Sequence, residues 1–315
     1  MIDGADDIET GVDEDIDVFD KSNVNQVADQ NLHWTMLPPS EMLTLEDADR
    51  LLRWRNAAVI AVVGERYGGK TTLVTEIYGS FLRGVFADSL FCHSLSLLGF
   101  EKKSFQSRAA SGASHADTAR TSLSEGLRFF HLAVCDEVDL HRRDLLISER
   151  AGEVYRDARD RPDLAVEMIE LRKATVVAFI IDGGRVAVPR NRAEVFASVR
   201  NTIRAIVGSG NIAANTQIQL VTTKYDLLEG DSMIDAREAL SEFEQQIITM
   251  QAEKFKVLTF RTAARNSTSS SNSTSGLDLL LKSWLKPKNT KLLEKPKIPK
   301  LSNEFDKLLL RRMVQ

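Results

Sequence analysis

A chain of 315 residues, 43% hydrophobic and 27% charged, carries enough apolar side chains for a full core in one or two domains. Its net charge of −4 conceals a polarised distribution: residues 1–30 are dominated by Asp and Glu with Lys21 alone opposing them, while residues 286–315 are basic. That acidic start is the opposite of a secretory or organellar leader, and no apolar run approaches membrane-spanning length, so a cytoplasmic protein is expected.

Residues 1–38 are acidic, poor in aromatics and closed by Pro38-Pro39, the composition of a disordered tail. A short amphipathic helix is predicted from Thr44 to Arg55, with Asp47 completing a capping box on Thr44. A strand of β-formers, Ala58 to Val63, then runs into Gly64-Glu65-Arg66-Tyr67-Gly68-Gly69-Lys70-Thr71, followed by Thr72 and a helical stretch to Arg83. This is G-x-x-x-x-G-K-T between a strand and a helix, the arrangement of a phosphate-binding P-loop. Its glycines let successive N–H groups turn inward around a phosphate, and the helix N-terminus adds partial positive charge. In this motif Lys70 reaches the β- and γ-phosphates and the Thr71 hydroxyl ligates Mg²⁺. A nucleoside triphosphate ligand follows.

Residues 84–126 carry no clear periodicity and end in a polar, loop-like stretch. Strands are predicted at Phe129–Val138 and Asp144–Ser148. The gap between them is too short for a parallel crossover, so the two should form an antiparallel hairpin. After Gly152 come two helical pieces broken around Pro162, then a strand at Thr175–Asp182. A helix with Val195, Phe196, Val199 and Ile203 on one face stops at Gly208-Ser209-Gly210. A strand at Gln217–Thr223, a helix at Met233–Glu253, a strand at Val257–Phe260 and a helix at Leu277–Leu285 complete the pattern. Strands alternating with helices after one hairpin indicate an α/β fold with a mostly parallel, doubly wound sheet.

Further chemistry sits at the predicted strand ends. Thr223-Lys224-Tyr225-Asp226 follows a strand at the end where such sheets bind ligands. An aspartate there can accept from guanine N1–H and N2–H together, a donor pair adenine lacks, and Lys224 can lie along the base and support the P-loop. Thr262-Ala263-Ala264 after the last strand is a counterpart for a loop whose backbone N–H meets guanine O6, or an ordinary polar loop. Glu149-Arg150-Ala151-Gly152 ends the hairpin's second strand, where a guanosine triphosphatase places D-x-x-G. Glu149 would stand near the metal, the Gly152 N–H near the γ-phosphate, and Glu153 where a water-orienting side chain belongs. Glu153 reads equally well as a carboxylate favoured at a helix N-terminus. Arg150 is a candidate for stabilising transition-state charge or meeting a partner, and an exposed arginine also needs no role. Thr121 is the candidate switch residue on Mg²⁺ and the γ-phosphate, with Thr118 and Ser122 competing for the part. A rival reading takes Asp136-Glu137, after four apolar residues, as the metal and base pair of an ATPase. Cys92 and Cys135 fit a reducing compartment and, with five unpatterned histidines, argue against zinc.

The order of P-loop, switch threonine, hairpin, Gly-Glu, Thr-Lys-x-Asp and Thr-Ala-Ala resembles the Ras-like branch of P-loop GTPases. More narrowly the chain resembles the bacterial double-GTPase family of conflict and defence gene clusters, through AVVGERYGGKTTL, SLSLLGFEKK, ARTS, RRDLLISERAGEVY, VVAFIIDGGRV and QLVTTKYDLL across residues 45–285. The resemblance implies a GTPase domain over residues 39–286 that binds GTP and GDP with Mg²⁺, hydrolyses slowly and works with a partner GTPase or effector. Lys70 and Thr71 would hold the phosphates and Asp226 the guanine, while Glu149 stands where the family pattern has aspartate. The basic tail at 287–315, with Phe305, Leu308, Leu309 and Met313 along one helix face, is a further segment. It could meet a membrane surface, nucleic acid or a partner protein, or remain solvated.

Overall fold

The structure is a computed structural model that describes residues 41–106, 126–264, 275–286 and 303–304. Thr118, Thr121, Ser122 and most of both tails, including the predicted C-terminal helix face, lie outside the described residues. Helix α1 (Leu45–Trp54) starts at the expected capping box, with the Asp47 N–H donating to Thr44 Oγ1 and the Thr44 N–H to Asp47 Oδ2. It leads into β1 (Ala57–Val63), the phosphate-loop motif and α2 (Lys70–Phe81). Next come β2 (Ser89–His93), α3 (Leu97–Gln106), β3 (Arg128–Asp136) and β4 (Arg142–Glu149). Then follow α4 (Gly152–Asp160), a 3-10 turn at Pro162–Glu167, α5 (Ile169–Lys173), β5 (Val176–Asp182), α6 (Gly183–Ala187) and α7 (Pro189–Gly208). The order ends with β6 (Gln217–Thr223), α8 (Ile234–Gln251), β7 (Val257–Arg261) and α9 (Leu277–Leu285).

The strands form one seven-stranded sheet in the order β2-β3-β4-β1-β5-β6-β7. β1, β4, β5, β6 and β7 pair in parallel, and β3 pairs antiparallel to β4 as the short connection requires. Strand β1 alternates: Ile60 and Val62 pack with Leu73, Ile77 and Trp284 on one face, Ala61 and Val63 with Phe179, Val195 and Ile203 on the other. Helices therefore cover both faces of a sheet whose central strands are buried, the arrangement expected of parallel pairing. Among the described residues no helix is long and apolar enough to cross a membrane.

One expectation is corrected here: the sheet has a seventh strand, and α3 follows it. β2 lies at the sheet edge with Leu90 and Phe91 partly exposed, so its sequence lacks the apolar alternation that marks a half-buried strand. Its register with β3 also slips between Phe91 and His93, a bulge that breaks the period of two.

At the far end of β3 and β4, His131 is fully buried and its Nδ1 accepts from the Leu95 N–H at 2.9 Å. Its proton therefore sits on Nε2, which donates to Asp144 Oδ1 at 3.0 Å. Arg142 donates to both oxygens of the same carboxylate, at 2.7 and 3.0 Å. Burial alone would raise the Asp144 carboxyl, but these hydrogen bonds hold it well below the usual carboxylate range. A depressed folded value means stability that is present above the unfolded pKa and lost as pH falls through the folded one. Asp144→Asn should cost about 3 kcal/mol at neutral pH, and the gap from wild type in urea unfolding should narrow on acidification.

Candidate functional site

The five parallel strands all deliver their C-terminal ends to one edge of the sheet, so their loops converge there: Gly64–Lys70 from β1, Arg150–Glu153 from β4, Gly183–Arg185 from β5, Lys224–Asp226 from β6 and Thr262–Ala264 from β7. β1 lies between β4 and β5, where the strand order reverses, the place at which open α/β sheets bind ligands.

The phosphate-loop motif is held from several sides. Gly69 caps α2 at φ +85°, a left-handed conformation that glycine adopts without a side-chain penalty. Lys70 is buried, and its Nζ donates to the Gly64 carbonyl at 2.9 Å and the Glu65 carbonyl at 3.0 Å. Burial pushes its ammonium pKa down, and the carboxylates of Glu149, Glu153 and Glu65 work against that. Thr71 Oγ1 donates to Glu149 Oε1 at 2.6 Å, so the hydroxyl and the carboxylate predicted as metal ligands meet although 78 residues apart. Both are hard oxygen donors of the type Mg²⁺ prefers. Thr72 lies in the first turn of α2, half-buried.

The Thr-Lys-x-Asp loop grips the phosphate loop directly. Thr223 Oγ1 donates to the Gly68 carbonyl at 2.7 Å and Lys224 Nζ to the Tyr67 carbonyl at 2.9 Å. Tyr67 (φ +63°) and Lys224 (φ +51°) are both non-glycine residues in the left-handed region, a sparsely populated conformation that folded proteins retain where surroundings enforce it. The bond between them ties these two strained positions together. Asp226 sits in the 3-10 turn Tyr225–Leu228, whose first N–H donates to the Thr262 carbonyl at 3.0 Å. Thr262 is buried and bonded to the Thr222 carbonyl, which brings the Thr-Ala-Ala loop beside Asp226's turn, with Ala263 paired to Ser275.

Gly152, buried at the first turn of α4, packs against the backbone of Glu65 and Arg66. Glu153 lies 3.9 Å from Arg66 Nε, and Arg66 stacks over the exposed Tyr67 ring at 4.3 Å. Arg150 is placed elsewhere. Its guanidinium is paired with Glu170 of α5, Nε to Oε1 at 2.9 Å and Nη2 to Oε2 at 3.0 Å. Glu170 is fully buried; burial raises its carboxyl and Arg150 pulls it back. The structure thus commits Arg150 to a buried ion pair rather than to the phosphate loop.

The rival pair Asp136-Glu137 is not at this edge. β3 runs antiparallel to β4, with Cys135 opposite Arg142, and Ala57 at the start of β1 stands opposite Asp144. Asp136 therefore lies at the opposite end of the sheet from the phosphate loop. Its carboxylate accepts from the Val138 N–H at 2.9 Å and caps the hairpin. The ATPase reading built on it is overturned.

Several residues that the sequence did not single out support the site. Asp182, at the end of β5, accepts from the Gly184 N–H at 3.0 Å and from Lys224 Nζ at 3.0 Å, so it caps α6 and fixes the lysine. Glu65 of the phosphate loop is held by Arg159 of α4, Arg185 of α6 and Ser198 of α7. The readable signal was Asp182-Gly183-Gly184 closing a strand; Arg159, Arg185 and Ser198 come together only through the fold.

The profile of the Double-GTPase 2 family matches residues 58–285. No curated protein matches the chain in sequence. Among solved structures, one similar chain comes from the signal recognition particle receptor SRb-GTP/SRX complex of Chaetomium thermophilum. It is 13% identical with a TM-score of 0.40, over 74% of this chain and 97% of that one. Another is the Ski7 GTPase-like domain of S. cerevisiae, bound to GTP, 14% identical with a TM-score of 0.43, over 77% of this chain and 52% of that one.

Proposed function

The chain belongs to the Double-GTPase 2 family, and from that premise we propose that it is a Mg²⁺-dependent GTP switch of slow intrinsic turnover. It works in the cytoplasm with a partner GTPase or effector, in a bacterial conflict or defence setting. The observation that carries this reading is the direct bonding of the Thr-Lys-x-Asp loop to the phosphate loop, through Thr223 to Gly68 and Lys224 to Tyr67. A base-reading turn and a phosphate cradle built as one unit suit a nucleotide bound across both.

In this reading the backbone from Gly64 to Thr72 wraps the phosphates, Lys70 leaves the loop carbonyls for the β- and γ-phosphates, and Asp226 accepts from the guanine edge. The Thr262–Ala264 loop lies beside the base. Thr71 and Glu149 would hold Mg²⁺, which would supply neutralisation of the phosphate charge. Gly152 offers its N–H toward the γ-phosphate, Glu153 orients water, and Thr121 closes on the nucleotide as the switch. Order and disorder of such segments is how a γ-phosphate is sensed.

Calorimetric titration of the nucleotide-free protein with GTP and ATP, in Mg²⁺, tests the reading: GTP should bind and ATP should stay silent. Lys70→Ala should weaken GTP binding about 10- to 100-fold, the worth of a charge-assisted hydrogen bond or two. Tight ATP binding with GTP silent would discard the guanine assignment. A second reading, binding with negligible turnover, is favoured by the burial of Arg150 against Glu170 and by the longer Glu149. Multiple-turnover phosphate release that Lys70→Ala abolishes decides for the first.

A further inference from the structure

Resting on the reading of Thr223 to Asp226 as the base-binding turn, we propose that Asp182-Gly183-Gly184 is a seat for Lys224. It fixes the lysine before a nucleotide arrives and so sets how tightly the purine base is held. Asp182 is buried at the end of β5, and its two carboxylate oxygens have separate partners. Oδ1 accepts from the Gly184 N–H at 3.0 Å and the Arg185 N–H at 3.4 Å, which closes the first turn of α6. Oδ2 accepts from Lys224 Nζ at 3.0 Å, and the same ammonium donates to the Tyr67 carbonyl at 2.9 Å. The ammonium is thus clamped between a carboxylate of β5 and a carbonyl of the phosphate loop.

The two glycines make the room. Asp182 stands opposite Thr223 at the ends of the parallel strands β5 and β6, so the two turns leave the sheet side by side. A Cβ at Gly183 would lie 2.4 Å from the Thr223 carbonyl oxygen and 3.0 Å from that of Lys224. Those are backbone atoms of the base-binding turn, so a side chain at Gly183 would drive the two turns apart. A Cβ at Gly184 would stand 3.3 Å from Lys224 Cδ, so one flank of the lysine stem lies along this glycine.

The consequence is preorganisation. A free lysine samples many rotamers, and ordering it when a ligand binds subtracts from affinity. Here the ammonium is already clamped, yet 40% of the Lys224 side chain stays exposed. A purine ring can settle against that fixed methylene stem while Asp226 reads its edge. Asp226 then selects the base, and Asp182, acting through Lys224, sets the strength with which it is held. Asp182 is a positioning residue, since it touches the lysine and not the ligand. Base and ribose are common to the di- and triphosphate, so its contribution belongs equally to GTP and GDP.

The test is a double-mutant cycle on nucleotide affinity, measured by calorimetry on the full chain with Asp182→Asn and Lys224→Met. Asparagine keeps an oxygen for the N–H groups of α6 but turns an amide NH₂ toward the ammonium. Methionine keeps an unbranched apolar stem and removes the ammonium. Asp182→Asn alone should weaken GTP and GDP by the same factor, about 10-fold. In the Lys224→Met background it should have no further effect, because it acts through the lysine. A loss that persists in that background would overturn the proposal, as would wild-type affinity in Asp182→Asn or a loss confined to GTP. Should the asparagine variant not fold, as judged by circular dichroism, Asp182→Ser also caps a helix and takes its place in the cycle. If wild type takes ATP and refuses GTP, the guanine assignment fails, and the same cycle run with ATP and ADP decides the seat. A wild-type chain that binds neither nucleotide overturns both.

Discussion

Asp226→Asn is expected to lose at least about 100-fold in GTP affinity and to bind xanthosine triphosphate in its place. An aspartate facing guanine accepts from N1–H and N2–H together, and each charge-assisted bond contributes about 1.5–3 kcal/mol. Asparagine keeps one acceptor but offers an amide donor, which opposes the guanine amino group and complements the carbonyl xanthine carries at C2. The substitution keeps the size of the side chain, and backbone bonds also hold the turn. The Tyr225 N–H donates to Thr262 and the Glu229 N–H to the Asp226 carbonyl, at 3.0 and 3.3 Å, and Lys224 beside it is pinned by Asp182. Calorimetry with both nucleotides, and circular dichroism as a check on folding, decides the matter. Unchanged GTP affinity in a folded variant would sink the guanine assignment even if the protein binds nucleotide through its phosphate loop.

Features of the site carried by contiguous residues were legible in the sequence. Gly64 to Thr71 and Thr223 to Asp226 each hold their chemistry within one strand-to-helix turn, so spacing sufficed to place them. The hairpin was legible for a different reason: the connection from β3 to β4 is too short for any other geometry. Contacts between distant segments were not. Nothing local marks Glu170 as the partner of Arg150, which therefore read as a free arginine beside the site. Nothing local sends Arg159, Arg185 and Ser198 to Glu65 either. β2 escaped because an edge strand with a bulge has neither two buried faces nor an unbroken period.

Gly152→Ala separates two principles that predict opposite signs. As the first residue of α4, a glycine replaced by alanine should favour the helix by up to about 1 kcal/mol. Packing says otherwise. A Cβ at Gly152 would lie 2.3 Å from the Arg66 nitrogen, 2.6 Å from the Glu65 carbonyl carbon and 2.8 Å from the Arg66 Cα. These are backbone atoms of the phosphate loop, itself fixed by Thr223 and Lys224, so no side chain can rotate away to make room. Overpacking of this kind costs about 1–3 kcal/mol and should outweigh the helical gain. Either α4 steps off the loop or the loop shifts, and both displace the Gly152 N–H and the cradle relative to each other. Gly152→Ala should therefore lower stability in urea unfolding and weaken GTP binding together. Gly208→Ala is the control: nothing lies within 4 Å of a Cβ there, so helix propensity acts alone and the change should be neutral or slightly stabilising. If Gly152→Ala proves as stable and binds as tightly as wild type, α4 is free to move from the phosphate loop without cost. The contact would then be a resting position rather than a fixed wall of the site.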